Sequence, residues 1–83
     1  MNFIRKLAFR LLFPAYQKAS VRPIAGMDVY VLDLDQHTKF VHVAQYLPDT
    51  DSYSSDGGWF ESREIAYWCY VPNVENEMAR RSK

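Results

Sequence analysis

The sequence predicts an α+β domain. Its expected parts are an N-terminal helix, a small, mainly antiparallel four-stranded sheet, and a short helix or a tail at the C-terminal end. Three observations predict it. Apolar residues recur at helical spacing before Pro14. Later segments at 28–35, 39–47, 59–63 and 64–72 are rich in β-branched and aromatic residues, and most of them alternate. Pro, Gly, Asp and Ser cluster between these segments.

The first element is MNFIRKLAFRLLF. Phe3, Ile4, Leu7, Ala8 and Leu11 share one helical face. Arg5, Lys6 and Arg10 lie off that face, and Phe9 and Phe13 fall on the opposite side. Pro14 disfavours helical geometry at Phe13 and stops the helix. Its length of roughly 18 Å is short of the ~30 Å hydrocarbon core of a bilayer. The basic, acid-free start resembles a targeting segment, but Arg10 interrupts the apolar run and weakens a secretory reading. Docking on this domain or a partner, and lying on a membrane surface, are the other two roles the helix allows.

Pro23 and Gly26 mark a turn before the next element. DVYVLDLD alternates and reads as a strand, DQHT as a polar turn. KFVHVAQYL follows with Phe40, His42, Ala44 and Tyr46 on one face, so the two strands predict an antiparallel hairpin. PDTDSYSSDGG reads as a long loop of about eleven residues. WFESR is a short strand. EIAYWCYVP reads as a strand in preference to a helix beginning at Ser62, because Ile, Tyr, Trp, Cys and Val crowd it. NVENEMARR suits a short helix: Asn73 is a good cap, acids come early and arginines late.

The 83 residues make a single domain, with a helix arm at 1–14, a β-rich body at 22–72 and the short helix or tail at 73–83. Net charge is zero but unevenly spread. Residues 1–27 carry five bases and no acid, residues 28–77 carry ten acids against two bases, and the last six residues carry three bases. Such asymmetry marks an interaction surface, or a basic arm docked on its own acidic body.

Chemistry finds little footing. Cys69 is the only cysteine, which rules out an internal disulfide and fits a reducing compartment. It could act as a nucleophile with His42 as base, yet an apolar strand raises a thiol's pKa, and a small buried hydrophobe is the better reading. Cys69, His37 and His42 lack zinc-finger spacing. Asp49, Asp51 and Asp56 do not make a calcium loop, since Ser54 and Phe60 stand where Gly and Glu are required. No cofactor or metal is implied. The acidic body would repel phosphates, which argues against nucleic acid. Trp59, Phe60, Tyr67, Trp68 and Tyr70 read mainly as builders of the fold.

The stretches RPIAGMDVYV, VAQY, GGWF and IAYWCYVP resemble a family of short phage and prophage proteins, a domain of unknown function numbered five-five-one in its series. The resemblance covers about residues 22–72. It departs at Tyr67, where that family has His, and at Cys69-Tyr70-Val71-Pro72, which replaces Met-Pro-Leu-Pro. It implies a phage-like origin, a small β-rich domain and no catalytic residue.

The expected function is therefore non-enzymatic: a phage-type accessory protein that binds and modulates a host protein, such as an inhibitor of a defence system, in the cytoplasm of a bacterial host. Arg5, Lys6, Phe9, Arg10 and Phe13 on the helix, or Asp49, Asp51 and Asp56 in the loop, are the expected partner-binding residues. The alternative is a small accessory subunit of a membrane-associated complex, held by its basic N-terminal helix. Homo-oligomerisation is compatible with either.

Overall fold

Val29 and Val31 point one way along their segment and Tyr30 and Leu32 the other, and none of the four is exposed. Only a strand with neighbours on both edges and cover on both faces satisfies that pattern. The computed structural model describes residues 2–34, 40–55 and 58–82 and places this segment at the centre of the sheet. Among the described residues, helix α1 spans Asn2–Leu12 and helix α2 spans Val74–Arg81. Between them lie β1 (Gln17–Lys18), β2 (Asp28–Asp33), β3 (His42–Leu47), β4 (Ser52–Ser55), β5 (Gly58–Glu61), a 3-10 turn (Ser62–Glu64) and β6 (Ile65–Tyr70). The strands form one sheet in the order β1-β6-β2-β3-β4-β5, with every neighbouring pair antiparallel.

The α+β class and the β2–β3 pairing agree with the sequence, but the sheet has six strands where four were expected. The expected long loop at 48–58 contains β4, which pairs with β3 from Ala44↔Ser55 to Leu47↔Ser52. Three serines in SYSS conceal the strand, and its one apolar side chain, Tyr53, is fully buried. β1 is a two-residue pairing of the link with β6, at Gln17↔Trp68 and Lys18↔Tyr67. The expected DQHT turn lies outside the described residues. The helix considered at Ser62 proves to be a single 3-10 turn, in which the Glu64 side chain accepts the Glu61 N–H at 2.9 Å.

Register divides the core by sheet face. Tyr30 faces Cys69 and Leu32 faces Tyr67 across β2–β6, while Val31 faces Trp68 on that strand and His42 on β3. Val29, Val31, Ala44, Tyr46, Tyr53, Ile65 and Trp68 form the main buried cluster. The link, the 3-10 turn and the turn at 48–51 fold over it. Trp68 donates Nε1–H to the Val21 carbonyl at 2.6 Å, and the Tyr70 hydroxyl accepts the Ile24 N–H at 3.0 Å.

The opposite face is covered by α1, which packs through Phe9 and Phe13. The Phe13 ring lies 5.0 Å from Tyr30, and the Phe9 ring lies 6.2 Å from Tyr67 and 6.5 Å from Phe40. Phe9 is fully buried and Phe13 half-buried. Burying such a ring contributes about 1.5–3 kcal/mol. At the other end Asn73 caps α2, accepting the Asn76 N–H at 2.6 Å. Asn76 is itself buried and donates to the carbonyls of Asp28 at 3.0 Å and Val71 at 2.7 Å, tying α2 to the start of β2.

Two predictions test this packing. Phe9→Ala removes a fully buried side chain of α1 and is expected to lower unfolding free energy by about 3–5 kcal/mol, whereas Leu11→Ala should change it by about 0.5 kcal/mol or less. Equal urea midpoints for the two variants would show that α1 is not docked through Phe9. The Tyr53 hydroxyl is buried with no hydrogen-bond partner among the described residues, and burial pushes its pKa up to about 12. Tyr53→Phe removes an unsatisfied polar atom, so thermal unfolding should show unchanged or higher stability, by up to about 1 kcal/mol. A clear loss would mean that the hydroxyl has a partner in solution.

Candidate functional site: the outer face of helix α1

At about 100° per residue, Phe3, Ile4, Leu7 and Leu11 lie opposite Phe9 on α1. Since Phe9 turns into the sheet, these four turn away from it. Phe3 is 74% exposed, Ile4 67%, Leu7 41% and Leu11 73%. Leu12 is exposed beside them. A helix apolar on both sides ordinarily lies inside a protein. Here one side is packed and the other is open. The helix has no acidic residue in its first turn, and Arg10 stands in its last turn, where a cation suits the helix dipole. Lys6 and Arg10 lie on one rim of the open stripe, with Arg10 exposed and Lys6 partly so. Arg5 lies toward the other rim, its guanidinium 5.9 Å from the centre of the Phe40 ring.

The expected recognition set is therefore rearranged. Phe9 is fully buried and so closed to a partner, while Phe13 is half-buried, its ring packed on Tyr30 and also lining the groove beside α2. Arg5, Lys6 and Arg10 remain at the borders of the open stripe. The apolar face that the spacing predicts is real, but it points outward. The signal that would have found this is the pair of phenylalanines opposite the stripe. Two aromatic rings offer more contact to a tyrosine-rich sheet face than one helix edge of aliphatic side chains.

The acidic set is also changed. Asp51 is held by its own protein. Its carboxylate accepts from Arg22 Nε at 2.7 Å, Tyr46 Oη at 2.5 Å and Ser62 Oγ at 2.9 Å. Its backbone carbonyl accepts the Ser62 N–H at 3.1 Å. Asp51 adopts φ +51°, a left-handed conformation that aspartate tolerates better than most residues. The hydrogen bond from Arg22, then those from Tyr46 and Ser62, hold its carboxyl well below the usual carboxylate range. The same contact raises the Arg22 and Tyr46 values. Arg22 also donates to the Ala19 carbonyl. This latch joins the link, the β3–β4 turn and the 3-10 turn over the main core. Asp49 is exposed, and Asp56 lies outside the described residues.

Cys69 and His42 are not brought together. Cys69 shares a face with Tyr30 and His42 shares the other with Val31, so the sheet separates them. Burial raises the Cys69 thiol pKa, which disfavours thiolate. Cys69 lines a groove between the end of α1 and α2, together with Leu12, Phe13, Pro72, Glu77 and Arg80. His42 instead has its Nε2 3.9 Å from a carboxylate oxygen of Asp33 and its ring against Phe60. No group of three or more His, Cys, Asp or Glu residues that could hold a metal ion occurs among the described residues. Among those residues no helix is long and apolar enough to cross a membrane.

Nothing matches this chain among protein-family models, curated proteins or solved structures.

The latch has a pH signature. Because the folded pKa of Asp51 is depressed, its stabilising contribution is complete above the ordinary carboxylate value of about 4 and is lost as pH falls toward the depressed folded value. Asp51 is half exposed, so solvent screening reduces the effect. Asp51→Asn should lower the melting temperature at neutral pH and shrink the gap from the wild type as pH drops below about 4. A gap that stays constant with pH would remove the charge from this account.

Proposed function

We propose that this is a non-enzymatic accessory protein that works by docking, and that the outer face of α1 is its docking surface. The observation that carries the reading is the combination of Phe9 buried and Phe3, Ile4 and Leu11 exposed on one helix. A continuous apolar stripe bordered by polar groups is the mark of an interaction site. The rest of the structure supports the role by holding that helix still. Phe9 and Phe13 fix its rotation about its own axis, so the stripe is presented in one orientation without ordering on contact.

Two classes of partner fit the sequence. The resemblance over residues 22–72 favours a host protein that the chain binds and modulates, such as a component of a defence system. The absence of any acid in residues 1–27, with Lys6 and Arg10 bordering the stripe, favours attachment to a membrane-associated assembly. The second reading makes fuller use of the geometry, because it explains both the apolar stripe and the sign of charge beside it. Nothing in either reading draws on Cys69 as a nucleophile.

The surface assignment is tested without knowing the partner. A photoreactive amino acid placed at position 7 or 11 should give crosslinked products in cells, and one at position 45, on the exposed side of β3, should not. The position 7 products should vanish when Ile4 and Leu11 are both changed to Gln. Equal labelling from positions 7 and 45 would discard the helix as the working surface.

A further inference from the structure

We infer that the outer face of α1 binds the surface of an anionic lipid bilayer, lying flat in the interface with the sheet carried above it. This rests on the docking reading and names its occupant. The stripe of Phe3, Ile4, Leu7 and Leu11 runs the length of a helix about 17 Å long, which matches an interfacial helix and falls well short of a span. Large apolar side chains at the centre and cations at the border are the arrangement that suits the boundary between acyl chains and anionic headgroups. Lys6 and Arg10 can extend their charged ends toward headgroups while their stems follow the apolar surface. The sheet face under α1 is aromatic, and Glu77, the acid that lines the groove beside Leu12 and Phe13 at the end of α1, is paired with Arg80 at 2.7 Å.

A second copy of the chain fits the same face poorly. Symmetric packing of α1 on α1 would bring Lys6 and Arg10 of one copy toward those of the other. A stable protein interface also needs about 800 Å² and some 20–30 residues from each partner, more than one side of a three-turn helix supplies. A lipid surface needs neither a matching shape nor a wide contact. The inner face of α1 also matters to this inference. Docked by Phe9 and Phe13, the helix is already formed and already turned, so membrane contact does not have to meet the cost of folding it.

The test is flotation of the full chain with vesicles of two compositions, phosphatidylcholine alone and phosphatidylcholine mixed with phosphatidylglycerol. Binding is expected to the mixed vesicles, much less to the neutral ones, and to weaken as salt is raised. Lys6→Gln and Arg10→Gln should each weaken binding to the mixed vesicles by about fivefold and leave binding to the neutral ones unchanged. Ile4→Gln with Leu11→Gln should abolish flotation on both while preserving the near-ultraviolet circular dichroism, since both side chains are exposed in the folded protein. If the chain stays out of both vesicle types while position 7 still crosslinks to a protein, the lipid inference falls and the docking surface stands. A dimer by light scattering that the same double variant converts to monomer would assign the stripe to a second copy and overturn the inference. Absence of flotation, crosslinks and dimer together would overturn the docking reading as well.

Discussion

The structure depends on which way α1 is turned. The helix carries apolar side chains on two opposed faces, and the sheet has one face that needs a cover. Phe9 and Phe13 meet Tyr30 and Tyr67 in a cluster of rings, with Phe40 and Tyr16 at its edges. Once those rings are buried, Phe3, Ile4, Leu7 and Leu11 have nowhere to go but outward, because they lie half a turn away. Every functional statement about the molecule follows from that rotation.

The two sheet faces are stabilised by different means. Under α1 the contact is between aromatic rings. On the other face the link and two turns close over Trp68, Tyr53 and the valines of β2, and polar bonds hold them there. Asp51 is the centre of that closure. A left-handed aspartate with three side-chain donors is a specific device, and it sits at the point where residues 19–22, 48–51 and 62 converge. A chain this short has no disulfide to restrain such segments, so a charged hydrogen-bond cluster takes that role. The acidic loop that looks like a recognition element is thereby used, in part, for architecture.

Much was legible in advance. The alternation in DVYVLDLD located β2, and the aromatic density of EIAYWCYVP located β6. Asn73, with acids before arginines, located α2. The reading of Cys69 as a small buried hydrophobe followed from its apolar strand, and the structure buries it. Two strands escaped notice for physical reasons. β4 is three-quarters serine, and β1 is only a two-residue pairing whose side chains are exposed, so neither leaves a hydrophobic pattern.

The sequence alone determined both helices and the four strands that carry an apolar or aromatic pattern, because periodicity, caps and prolines act on neighbours a few residues apart. It also determined that α1 has an apolar stripe with basic borders and that the acids lie elsewhere. It did not determine which side of α1 meets the sheet, nor that Arg22 would find Asp51 across 29 positions of chain. Those outcomes depend on the shape and chemistry of surfaces that exist only after distant strands have paired. Only the assembled sheet brings Tyr30 of β2 and Tyr67 of β6 onto one face, diagonally across the β2–β6 pair, and that aromatic face selects Phe9 over the more regular stripe.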